Sequence, residues 1–137
     1  MKLVRLRLTL ISLNGFKKNK KNMIVKNILL SCLFFFIGHV LIWFQLNGQF
    51  IWKSWRDNML IVSLLGIPVS IFFLLATKWG VSAFGGLFWP PRFIGFSVGI
   101  IIYGLMVSYY FNEDFTLKTM ITLILALIIV TIQVFWK

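Results

Sequence analysis

The sequence predicts an all-α membrane protein, a four-transmembrane-helix bundle with a kinked second helix. Three observations lead there. Four apolar runs, Asn27–Trp52, Met59–Thr77, Phe93–Phe111 and Thr119–Trp136, contain no Asp, Glu, Lys or Arg. Each is long enough to cross a bilayer, since about 20 residues rising ~1.5 Å apiece cover a hydrocarbon core of about 30 Å. Finally, 12% of the chain is charged and 60% is hydrophobic, whereas soluble domains carry about 25% charged residues. Separate runs of this length mean helices. In lipid every backbone polar group is paired internally, and a barrel strand would be shorter and would alternate polar with apolar residues.

The 137 residues leave room for one small bundle, read as a basic segment over residues 1–22 and a transmembrane domain over 23–137. In residues 1–22 leucines alternate with basic residues, and the run Lys17-Lys18-Asn19-Lys20-Lys21-Asn22 follows. The apolar stretch Leu8–Leu13 is too short for a secretory signal, and no small-residue cleavage site follows it. Two readings stand side by side: a disordered or surface-lying membrane segment, and translated sequence upstream of a start at Met23.

The first helix is expected over about 24–46, ending at Asn47-Gly48. Trp52 and Trp55 then sit beside Lys53, Arg56 and Asp57, a headgroup-layer composition. The second helix, 59–77, carries Pro68, which removes a backbone hydrogen bond and predicts a kink. Lys78–Pro91 is apolar but holds Gly80, Gly85, Gly86, Pro90 and Pro91, so it reads as an interfacial or re-entrant loop. Pro90-Pro91 introduces the third helix, 92–111, because proline suits a first helical turn. Asn112-Glu113-Asp114-Phe115 is a tight turn, Thr116 is the expected N-cap, and the fourth helix occupies 117–136. So short a turn makes the last two helices antiparallel neighbours.

Small and polar residues mark the faces that should pack. Gly95 and Gly99 form one face of the third helix; Ser97, Gly104 and Ser108 lie on the opposite side. Small residues let helices approach closely, so two such faces imply contact from within the chain and from a partner subunit. The second helix aligns Ser63, Gly66, Ser70 and Thr77, and the fourth aligns Thr119, Thr122, Ala126 and Gln133. The first aligns Ser31, Gly38 and Gln45 with Cys32 and His39 beside them. Such stripes serve either close packing, with hydroxyls bonded one turn back, or a shared polar cavity. Ionisable residues within spans are functional candidates. His39 is therefore placed with Trp43, Ser63 and Ser70 on a candidate substrate or proton pathway, its ordinary pKa near 6.5 suiting proton exchange.

Several classes are excluded. Seven of the fourteen basic residues fall before the first span and the rest are dispersed. That distribution contacts anionic lipid and sets orientation; it does not form a nucleic-acid site. The single cysteine, Cys32, excludes an intrachain disulfide, and no Cys/His spacing fits a metal or cofactor. Glu113 and Asp114 lie in a turn without a nucleophile nearby, and no phosphate loop or nucleophile elbow occurs, so no enzyme activity is expected.

The stretches Gly95-Phe-Ser-Val-Gly99-Ile-Ile, Tyr109-Tyr-Phe-Asn-Glu-Asp-Phe-Thr116 and Leu123-Ile-Leu-Ala-Leu-Ile-Ile-Val130 resemble the second half of the small multidrug resistance transporters and, more broadly, drug/metabolite transporter repeats. The resemblance covers about Met23–Lys137. It implies an antiparallel homodimer with a substrate chamber between subunits and a first-helix glutamate that exchanges protons for cationic substrates. Aligned on Ile37-Gly38, that glutamate's place is taken by Phe35. The resemblance therefore implies transport of a small neutral or amphipathic metabolite, with His39 the substitute proton carrier; a membrane subunit or scaffold that transports nothing is the alternative. With the N-terminus inside, eleven basic residues face the cytoplasm and three face out, which predicts a multi-pass protein of the bacterial inner (plasma) membrane with both termini cytoplasmic. Counted from Met23 the bias falls to four against three, weak enough for dual topology.

Overall fold

A computed structural model describes the backbone of residues 2–135 and the side chains of residues 19–129, 131 and 132. Its elements are helical throughout: α1 (Lys2–Ile51), α2 (Lys53–Asp57), α3 (Met59–Ser63), α4 (Gly66–Ala83), α5 (Trp89–Phe111) and α6 (Leu117–Phe135). No strand occurs among the described residues.

The first helix does not stop at Asn47-Gly48. It runs on to Ile51, and residues 2–22 are helical and continuous with it. Asn47 Nδ2 donates to the Trp43 carbonyl at 3.0 Å, within the helix. Gly48 serves close approach instead of a turn, because the Trp55 ring lies directly against it. The chain reverses through α2 and α3.

The second span, Met59–Ala83, is interrupted at Leu64–Leu65. There the bonds tighten to the i→i−3 pattern: Leu64 to Ile61, Leu65 to Val62 and Ile67 to Leu64, each at 3.1 Å. Pro68 has no N–H to offer the Leu64 carbonyl, and the Ile67 N–H takes that acceptor instead. The expected irregularity is thus present, one turn before the proline.

The expected loop over Lys78–Pro91 is shorter than its glycines and prolines imply. Residues 78–83 complete α4, and Pro90-Pro91 fill the first turn of α5. Gly80 is helical because α1 and α5 crowd it: an added Cβ would lie 2.7 Å from Pro91 Cβ and 2.8 Å from Ser31 Oγ. The turn itself uses Gly85 and Gly86, at φ 65° and 96°, values that glycine adopts without the cost a side chain adds. Asn112 closes α5 in the left-handed conformation. Thr116 caps α6 as expected, accepting the Thr119 N–H on Oγ1 at 3.2 Å.

Helix α1 is the central element. It is antiparallel to the second span, as cross-helix bonds at both ends show: Asn27 Nδ2 to Ser82 Oγ of α4 at 3.2 Å and Gln45 Nε2 to the Ser63 carbonyl of α3 at 3.3 Å. It is parallel to α5, with Phe35 against Gly95 and His39 against Gly99. Among the described residues, helix α6 packs on α5 and has no comparable contact with α1 or α4. Three helices, Asn19–Ile51, Met59–Ala83 and Trp89–Phe111, are long and apolar enough to cross a membrane. In α6 the described residues supply a shorter apolar stretch, Leu117–Ile129. The outward faces are lined by Leu29, Leu33, Leu60, Ile67, Leu74 and Leu105, each more than half exposed. A soluble monomer rarely leaves so continuous an apolar surface uncovered, whereas lipid covers it at no cost.

Overpacking at the α1–α4–α5 junction should be costly. Gly80→Ala is expected to destabilise by ~1–3 kcal/mol, and Ser31→Ala, which also frees the Ala76 carbonyl, by about 0.6 kcal/mol, the average for hydrogen bonds inside membrane bundles. Thermal unfolding in detergent micelles checks both.

Candidate functional site

The inner face of α1 buries Asn27, Ser31, Phe35, Gly38 and Trp43, at spacings of three to five residues that keep one stripe inward. Ser31 is fully buried and donates to the Ala76 carbonyl at 2.8 Å. Gly38 lets the Phe73 ring of α4 approach; an added Cβ would stand 3.3 Å from it.

Toward α5 two rings fill two notches. A Cβ on Gly95 would lie 2.8 Å from Phe35 Cε1, and one on Gly99 would lie 2.5 Å from His39 Cε1. The i, i+4 row Phe35–His39 therefore seats in the i, i+4 groove Gly95–Gly99, as ridges fill grooves between packed helices. The expected close face of α5 is real, but it admits side chains of α1 in place of backbone. His39 also meets Phe73 edge-on, with centroids 5.0 Å apart, and its imidazole lies beside the Gly95 backbone.

Two cavities meet at this contact. One, of about 580 Å³, lies among α1, α4 and α5 and is lined by Phe35, Phe73, Thr77, Trp89, Arg92 and Gly95. The other, of about 410 Å³, lies among α1, α5 and α6 and is lined by Gly99, Ile100, Tyr103, Gly104, Thr119 and Thr122. His39 and Phe96 line both. The first extends toward the Arg92 end of the molecule and the second toward the Thr119 end. The seam between α1 and α5 is thus a groove pinched at its middle by His39.

The two ends differ in charge. Lys20, Lys21 and Lys26 of α1 share an end with Lys78 and Arg92, because Asn27 meets Ser82 and Ser31 faces Gly80 beside Pro91. The other end carries Lys53, Arg56 and Lys118 together with all three carboxylates of the chain, Asp57, Glu113 and Asp114. Among the described residues the basic end has no acidic counterpart, while the other end is balanced.

The other candidate residues are distributed as follows. Ser63 and Ser70 are exposed on the outer surface and each bonds one turn back, to the Met59 and Gly66 carbonyls at 2.8 Å; neither lines the two cavities. Trp43 is buried, 5.3 Å from Tyr110 and 6.0 Å from Phe111 between centroids, so it anchors the opposite end of the bundle. Its Nε1 and the Ser97 Oγ are buried without hydrogen-bond partners. Pro68 acts on the α4 backbone as described above. Gly104 is covered by the Phe115 ring, 3.2 Å from an added Cβ, and Ser97 is buried. Two members of the second small-residue face of α5 are therefore occupied within the chain, and Ser108 is half-buried. Gln133 lies outside the described side chains. Sequence reading gives no site role to Phe73, Arg92 and Phe96; it names Phe35 only in the place of an expected glutamate and Thr77 only in the stripe of the second helix. Phe35 carried a usable signal, one turn before His39 as Gly95 is one turn before Gly99. No group of metal-ligating side chains occurs among the described residues.

No family model, no curated protein and no solved structure matches this chain. The resemblance to small multidrug resistance transporters therefore stands on the residues quoted for it. The fold and groove define an all-helical protein with three helices able to cross a membrane and a ligand-sized seam between two of them.

The notches should differ measurably. Gly95→Ala and Gly99→Ala are each expected to destabilise by ~1–3 kcal/mol through overpacking, and Gly104→Ala, whose neighbour is a peripheral ring, by less than about 1 kcal/mol. Unfolding midpoints in mixed detergent would rank them; Gly104→Ala proving the most disruptive would contradict the packing described.

Proposed function

We propose that the chain is a four-spanning membrane transporter for a small neutral or amphipathic metabolite, with α6 as the fourth span and the His39–Gly99 contact as its gate. The observation that carries this reading is the pair of cavities approaching His39 from opposite ends and sharing His39 and Phe96 as a common wall. A carrier needs a site that is reached from one side at a time, and a groove with a single narrow point between two hollows is suited to that. His39 is the ionisable side chain at that point, and it is the group through which movement would couple to a proton. The excess of basic charge at the N-terminal end supports a cytoplasmic location for that end in a bacterial inner membrane. A homodimer is part of the proposal, with α6, which among the described residues packs mainly on α5, offering the free flank. No part of this calls for catalysis, a cofactor or nucleic acid.

The second reading is a membrane subunit or scaffold without a path. It is favoured by Ser63 and Ser70, whose hydroxyls are spent on their own helix.

Water access separates the two. In a Cys32→Ser background, Thr77→Cys is expected to react with a membrane-impermeant maleimide from the Arg92 side and Thr122→Cys from the opposite side, while Ser70→Cys resists as an outward-facing control. His39→Ala should leave the fold intact, since the ring is only half-buried, and allow both positions to be labelled from one side. Resistance of Thr77→Cys and Thr122→Cys alike would retire the transport reading in favour of the scaffold.

A further inference from the structure

We propose that the cavity at the basic end takes an anionic phospholipid, its phosphate held at Arg92 and an acyl chain lying among Phe35, Phe73 and Phe96. The proposal deepens the transport reading by naming the ligand class of one of its two cavities.

Arg92 stands on the rim, exposed, one turn into α5. Among the described residues no carboxylate pairs with it; the ion pair recorded there is Arg56–Asp57, at the other end of the bundle. An arginine at the edge of a hydrocarbon layer requires a counter-charge or water, and a planar guanidinium matches a phosphate with two parallel bonds. Lys78 does not line the cavity but adds positive charge at the same end of the bundle. The interior is of a different character. Its walls are aromatic, with His39 and Thr77 the polar exceptions. A free phosphate would use the mouth and leave the interior unfilled, whereas a phospholipid uses both. The route is lateral: Phe88, Trp89 and Phe96 line the cavity and are 71%, 66% and 50% exposed, so it opens onto the surface that lipid covers. The concentration of cations at this end also directs it toward the anionic leaflet.

The test uses the full chain, purified in detergent with equal amounts of phosphatidylglycerol and phosphatidylcholine, and counts retained lipids by native mass spectrometry. Phosphatidylglycerol should be retained in preference by about fivefold, the scale of one Lys or Arg facing anionic lipid. Arg92→Gln should bring the two lipids to parity, Arg92→Lys should keep most of the preference, and Lys118→Gln should leave it unchanged. Thr77→Trp, which fills the cavity without altering charge, should lower retention of both lipids. Equal retention by the unaltered protein, a preference that survives Arg92→Gln, or an equal loss with Lys118→Gln would overturn the proposal. Selective retention with Thr77→Cys and Thr122→Cys both closed to thiol reagents would leave this site standing and end the transport reading; open labelling without lipid preference would do the reverse.

Discussion

The structure depends on how closely α1 can approach the helices on either side of it. Hydrophobic burial does little to hold helices together in lipid, where the alternative environment is as apolar as leucine. What remains is contact, and contact needs complementary shape. Helix α1 presents Phe35 and His39 to one neighbour and Gly38 to the other. Helix α5 receives the two rings at Gly95 and Gly99, and α4 lays Phe73 against Gly38. Each glycine removed from this set forces a ring to move. At the Arg92 end the same logic locks Gly80 between Ser31 and Pro91, so three helices converge on one residue without a side chain.

Polar groups follow a related constraint. Within a membrane a hydroxyl must find an acceptor inside the protein, and its own helix offers one four residues back. Ser63, Ser70, Thr122 and Thr131 take that option, at 2.8–2.9 Å, and so add nothing to the contact between helices. Ser31 and Asn27 reach across to α4 instead. The difference lies in burial: residues pressed against a neighbour find the neighbour's acceptor, and residues facing outward fold back. Trp43 Nε1 and Ser97 Oγ do neither, and both are buried in the packed core.

Much of this was readable in the residues. Three of the four charge-free runs coincide with helices long and apolar enough to cross a membrane, Pro68 located the irregularity in the second, and Thr116 located the start of α6. Errors arose where local signals competed with tertiary contact. Asn47-Gly48 and Gly80 look like breaks because glycine is a poor helix former; here a tryptophan ring and a proline ring press against them, and closeness outweighs propensity. The candidate site was legible in part. His39 was prominent as an ionisable group in a span. Ser63 and Ser70 align by angle, yet angle alone does not say which neighbour, if any, a stripe meets. Two of the aromatic walls were invisible for the opposite reason: Phe73 and Phe96 are ordinary apolar residues of a span, and only packing separates those lining a cavity from those facing lipid.

The position of Phe35 is where the architecture and any activity constrain each other most. A carboxylate at this position would need water or a cation as partner. A phenylalanine ring needs neither, and it fills the Gly95 notch that a shorter acidic side chain would leave open to solvent. With that notch filled by an aromatic ring, His39 is the polar side chain at the middle of the seam and Arg92 the charged one lining its mouth. A ligand that enters such a groove must then satisfy a cation at its edge and an aromatic surface farther in. On the proposed transport reading, a small hydrophilic cation meets neither requirement and an amphipath meets both.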